Sequence, residues 1–233
     1  MIFFSVKGFK YMDDLKNLLN RASFEERKAL AEILKASQPT ADSIIDRLCE
    51  KSQDPASYVF NEIFDDHPSY QKIVRRAAKK LKIKCSKYES ANGMEVKIAQ
   101  KVMETMLEKM TPEQKREMEQ QLQKTASQFD KGGELLGSTS IFLALTGAQL
   151  SGFGIYLLAS TTLGTLTGVI GITLPFVAYT TMSSAIAVII GPVGWIGAGL
   201  FTVWQLAGPS YKRVIPAILY ICALRARLDG GFA

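Results

Sequence analysis

Residues 141–159 read Ile-Phe-Leu-Ala-Leu-Thr-Gly-Ala-Gln-Leu-Ser-Gly-Phe-Gly-Ile-Tyr-Leu-Leu-Ala, a run of helix length without an acid, lysine, arginine or histidine. The run belongs to a longer blank. From Leu135 to Tyr211 the chain has no Asp, Glu, Lys, Arg or His, although 21% of its 233 residues are charged. A water-facing helix needs a polar face, whereas a hydrocarbon-facing helix avoids charge, each Lys, Arg or Asp at mid-bilayer costing about 2.5–3.5 kcal/mol. The block therefore reads as membrane-embedded.

Its punctuation divides it into Ile141–Ala159, Leu163–Tyr179 with Pro175 inside, and Ala185–Leu206 broken at Gly191-Pro192. A bilayer core about 30 Å thick needs about 20 helical residues per crossing, so the block is long enough for two or three crossings; two fit best, with the middle segment re-entrant or surface-lying. Small residues dominate the block. Gly164-x-x-x-Gly168 and the edge Gly191, Gly194, Gly197 suit close helix packing, which predicts a homo-oligomer; Gln149, Thr165, Thr167 and Thr173 could line a polar lumen. Ordinary intramembrane packing is the plainer reading of the same glycines. A different solution is also open: Ser, Thr and Gln supply some polarity, and an apolar hairpin can be buried inside a shell of amphipathic helices, giving a soluble helical binding or chaperone-like module.

Trp204 and Tyr211 followed by Lys212 and Arg213 suit a membrane interface on the cytoplasmic side. With the N-terminal part also cytoplasmic, an even number of crossings follows, placing the chain in the cytoplasmic (inner) membrane. Pro216 to Leu228 is too short to span and reads as an interfacial or docking helix, or equally as one packed on the N-terminal domain.

Before residue 135 the chain looks like a helical domain. Ser23-Phe24-Glu25-Glu26 is a capping box opening a helix through Leu34, Asp54-Pro55 marks another start, and Thr111-Pro112-Glu113-Gln114 repeats the device. Ala99, Val102, Met103, Met106, Leu107 and Met110 recur at helical spacing, more simply as adaptable core than as a partner groove. Residues 1–11 read as a leader or non-native start, with Met12 as a possible true beginning.

Lys72, Arg75, Arg76, Lys79, Lys80, Lys82, Lys84 and Lys87 place eight positive charges within sixteen residues without an acid, in a chain of net charge +6. Tyr70, Ile73, Val74, Ala77 and Leu81 mark the buried side of the same segment. A solvated face is the plain reading of these cations. Arg75, Arg76, Lys79 and Lys80 also suit anionic membrane lipid headgroups, a reading raised by the apolar block, with nucleic-acid phosphates less favoured.

Enzyme chemistry finds little support. His67 is the one histidine, Cys49, Cys85 and Cys222 are widely spaced and odd in number, and no phosphate loop or nucleophile elbow is present. Asp65-Asp66-His67 lacks a second ligand cluster. No catalytic residue, cofactor or metal is expected.

Tyr70-Gln-Lys-Ile-Val-Arg-Arg-Ala-Ala-Lys-Lys-Leu-Lys-Ile, Leu174-Pro175-Phe176, Gly191-Pro192-Val193-Gly194-Trp195 and Tyr211-Lys-Arg-Val-Ile-Pro-Ala-Ile-Leu-Tyr-Ile together resemble the poorly characterised bacterial YaaW-like proteins. The shared region of that family is likened to ubiquinol–cytochrome c chaperones. The resemblance covers most of residues 12–228 and implies neither catalytic residues nor a substrate. The expectation is thus an all-α protein with a soluble helical domain over 12–134, a membrane hairpin within 135–211 and a basic interfacial helix over 212–233. Its expected role is a membrane-associated, self-associating protein that perturbs or permeabilises a bilayer.

Overall fold

Side-chain caps start three helices at Ser23, Asp54 and Thr111, where the sequence places them. The Ser23 hydroxyl accepts the Glu26 N–H at 3.2 Å while the Glu26 carboxylate accepts the Ser23 N–H at 2.8 Å. Thr111 and Gln114 exchange the same pair of bonds, and Asp54 accepts the Ser57 N–H at 2.9 Å.

The computed structural model describes residues 12–64, 67–127, 140–147, 150–169 and 211–230. These form ten helices: α1 (Asp13–Arg21), α2 (Phe24–Leu34), α3 (Ala41–Lys51), α4 (Pro55–Phe64), α5 (Tyr70–Lys80), α6 (Ala91–Lys109), α7 (Pro112–Ser127), α8 (Ile141–Thr146), α9 (Gly152–Val169) and α10 (Tyr211–Gly230). The all-α expectation holds for the described residues. Residues 1–11 lie outside them, as do Asp65, Asp66, Gln149, Thr173, Gly191, Gly194, Gly197 and Trp204.

The membrane hairpin does not hold. Among the described residues no helix is long and apolar enough to cross a membrane. The described part of the charge-free block forms α8 and α9, and α9 is enclosed by protein: Phe153, Tyr156, Leu157, Leu158, Ala159, Leu163 and Leu166 are all buried. Its main neighbour is α10, with α6 and α8 also packed against it. Protein interior and hydrocarbon are both apolar surroundings, so absence of charge cannot tell one from the other. The bilayer-perturbing role and the inner-membrane location rested on that hairpin and are corrected with it, as are the transmembrane and pore assignments and the anionic-lipid partner that the hairpin had raised. Self-association driven by intramembrane glycine packing loses its setting too. Gly164 is a buried position of α9, and Gly168 lies one turn further along the same helix.

Two hydroxyls of α9 are satisfied within the helix, whereas those of Ser160 and Thr161 are buried without a hydrogen-bond partner among the described residues. Thr162 donates back to the Leu158 and Ala159 carbonyls at 2.9 and 3.0 Å, and Thr165 to the Thr161 carbonyl at 2.9 Å.

α10 is the central strut. It begins at Tyr211, so Pro216 falls inside the helix rather than at its start, and every residue from Val214 to Arg225 is buried. Helix α10 packs on α2, α3, α5, α6 and α9. A helix that is apolar all round belongs inside a fold, and burial in the core replaces the interfacial placement expected for this segment. The methionine face of α6 is core as well, with Met94, Met103, Met106 and Met110 buried.

Where α10 turns polar, acids from three helices meet it. Arg225 pairs with Asp14 of α1 at 3.0 Å and with Glu95 of α6 at 3.4 Å. Arg227 pairs with Glu26 of α2, and Arg21 of α1 with Asp229 at 2.8 Å. Glu95 is fully buried, and burial pushes its carboxyl above the usual glutamate range despite the opposing charge of Arg225. The nearby Tyr70 phenol and Cys222 thiol are likewise pushed up by burial.

Candidate polyanion-binding face

α5 is an amphipathic helix built from two interleaved rows. Tyr70, Ile73, Val74, Ala77 and Ala78 are buried, whereas Lys72, Arg75, Arg76, Lys79 and Lys80 recur at three- and four-residue spacing along the other side. Ser69 caps the start, its hydroxyl accepting the Lys72 N–H at 3.2 Å. The end closes in a Schellman motif: Lys82 takes the left-handed conformation (φ 59°), the Ile83 N–H reaches the Ala78 carbonyl at 2.9 Å, and the Lys82 N–H reaches Lys79 at 3.0 Å.

Arg75 anchors the segment after the helix. Its guanidinium donates to the carbonyls of Ser86, Lys87 and Glu89 at 2.7, 3.1 and 3.2 Å, and Gln71 adds a 2.7 Å bond to Glu89. Lys84, Lys87 and Tyr88 are thereby held beside the helix. Tyr88 is 87% exposed, with the Lys87 ammonium 5.8 Å from its ring centroid. The nearest acid in sequence, Glu89, is already engaged by Lys97 at 2.6 Å, a contact that holds its carboxyl below the usual range.

Among the described residues Lys72, Arg76, Lys79, Lys80, Lys82, Lys84 and Lys87 form no ion pair. Close-set like charges without counter-charges raise the local positive potential and favour a negatively charged ligand.

Of the residues singled out from sequence, the structure brings together Arg75, Arg76, Lys79, Lys80 and Tyr211. The Lys80 ammonium sits 5.9 Å over the ring of Tyr211, which is largely buried at the start of α10; burial raises its phenol, with Arg76 opposing. Lys212 is exposed beside it. Arg213 goes elsewhere: it donates to the Ile33 carbonyl at 2.6 Å, capping the end of α2 next to Arg47, which reaches Leu34. Burial, then the charge of Arg47, lowers the Arg213 pKa. Tyr88 was missed by the sequence reading, although an aromatic directly after a basic run was the available signal. Glu95 was missed as well. It shares the buried face of α6 with Ile98 and Val102, and a carboxylate in such a row needs a cation from elsewhere in the fold.

No family model matches the chain, and no solved structure matches it. It is similar to a UPF0174 protein of Helicobacter pylori strain J99, 26% identical over 160 residues, which cover 68% of this chain and 61% of that protein. The match thus spans less than two thirds of that relative. A UPF0174 protein of Helicobacter pylori strain 26695 is 26% identical over 191 residues, 78% of this chain and 88% of the relative. Neither printed name carries the YaaW-like designation or an activity; at this level of identity the chain is a distant relative of UPF0174 proteins.

Proposed function

We propose that this chain is a non-enzymatic helical binding module that keeps α8 and α9, the described part of its charge-free segment, as internal core and docks an anionic partner on the α5 face. The carrying observation is the row of seven cations on α5 and the loop pinned to it that form no ion pair among the described residues. Burial of α9 supports the core half of the reading. The lipid reading of the same cations drew its weight from the apolar block, and that weight is gone.

Two further observations support a charged ligand over an apolar client of a chaperone. Among the described residues, the large exposed apolar side chains Phe24, Val59 and Leu143 sit on three different helices, α2, α4 and α8. The methionines that could have formed an adaptable groove are buried in α6. For the non-enzymatic half, Cys49 and Cys222 are buried, and the Cys222 thiol is held protonated by its apolar surroundings.

Retention of the full chain on a heparin matrix tests the reading. Salt should elute the protein, and Lys79→Glu/Lys80→Glu should pass unretained while keeping its helical circular dichroism. A wild-type chain that flows through at low salt would defeat the proposal.

A further inference from the structure

Resting on the anionic-partner reading, we infer that the α5 face binds single-stranded nucleic acid, with the lysine row following the phosphates and Tyr88 stacking on a base. Three features of the face select this polymer.

The first is the arrangement of charge. Lys72, Arg76, Lys79 and Lys80 lie along about 12 Å of one helix side, and the loop that Arg75 holds back against the helix sets Lys87 beside this row. A linear row of separate point charges matches a linear polyanion.

The second is side-chain type. Six of the seven cations without ion pairs are lysines. Lysine is depleted in protein–protein interfaces, whose centres use aromatic, methionine and arginine anchors. Of the two arginines on α5, Arg75 already holds the loop carbonyls. An acidic protein segment would therefore find charge here but little to anchor it.

The third is Tyr88. A phenol ring 87% exposed beside the cationic row offers a flat surface that an unpaired base can cover. Bases in a duplex are already stacked on one another, so the ring favours single strands. No base-edge reader is identified, and sequence preference should be weak.

The test is fluorescence anisotropy of the full chain with a labelled oligothymidine of about 20 nucleotides, the same length of duplex, and polyglutamate. With about five phosphates neutralised, oligothymidine affinity should fall about 100-fold between about 50 and 200 mM salt. Lys79→Glu/Lys80→Glu should abolish binding. Tyr88→Ala should weaken single-strand binding about 5- to 100-fold and leave duplex binding unchanged. The substituted side chains are exposed, and thermal melting verifies that each variant is folded. Duplex bound as tightly as single strand, or Tyr88→Ala without effect, overturns the single-strand assignment. Polyglutamate bound through the same lysines without oligothymidine binding overturns the nucleic-acid inference and leaves the anionic-partner reading standing. Failure to bind any of the three polymers overturns both.

Discussion

Arg225 and Glu95 are 130 residues apart in sequence and meet in the interior, at 3.4 Å from Nε to one carboxylate oxygen and 3.5 Å from Nη2 to the other. Both contacts are long for a charge-assisted pair, and the same guanidinium lies closer to Asp14, at 3.0 Å. Arg225 is thus shared between a buried acid and an acid that is 72% exposed, and Glu95 is incompletely compensated.

Removing one partner should cost far more than removing both. Arg225→Met leaves a buried carboxylate alone and is expected to lose about 3–5 kcal/mol in urea unfolding, whereas Arg225→Met with Glu95→Leu should recover most of that loss. A double variant as unstable as the single one would show that the pair is needed for packing rather than for charge balance.

The same carboxylate gives an unusual pH response. Its folded-state pKa is raised above the ordinary 4.5, so folding favours the protonated form. The resulting stabilisation is complete below the unfolded pKa and is lost as pH rises through the folded one. Glu89 behaves oppositely: its pKa is lowered by Lys97, and its contribution is present above the unfolded pKa and lost as pH falls through the folded one. Carboxyl chemical shifts followed through an acid titration should place Glu95 above and Glu89 below the ordinary value. In urea unfolding, the part of the gap between wild type and Glu95→Gln that depends on pH should favour wild type less as pH rises.

Tyr220 offers a substitution that should not destabilise. Its hydroxyl is buried and has no hydrogen-bond partner among the described residues. Tyr220→Phe should be neutral or stabilising by up to about 1–3 kcal/mol, while Leu219→Ala, one residue earlier on the same buried helix, should cost about 2–5 kcal/mol. Thermal melts of the two variants check the contrast.

Lys35 closes α2 as Lys82 closes α5, with φ 58°, the Ala36 N–H reaching the Ala31 carbonyl at 2.8 Å and the Lys35 N–H reaching Glu32 at 3.2 Å. A side chain in the left-handed region costs roughly 1 kcal/mol that glycine avoids. Lys35→Gly should raise stability by about 0.5–1 kcal/mol in urea unfolding, the gain being limited by the extra freedom of glycine in the unfolded chain.

The helices that were legible in the sequence carry their own local instructions. Ser23 with Glu26 and Thr111 with Gln114 mark helix starts by side-chain chemistry that acts over three residues, and the buried row Tyr70, Ile73, Val74, Ala77 follows one period. What covers α9 is set by residues far along the chain. Leu157, Leu158 and Leu163 record that water is excluded, not what excludes it, and the answer lies in Val214–Leu224. The candidate face was half legible: spacing revealed the lysines, but the anchoring of Ser86–Glu89 by Arg75 depends on a loop path that no periodicity encodes.

The position of α10 has a bearing on how the protein is made. At about 5–20 residues per second, a ribosome needs roughly 3 to 12 seconds to advance from Val169 to Gly230. Throughout that delay the apolar surface of α9 lacks its principal described partner, so its packing can be completed only after the last described helix emerges.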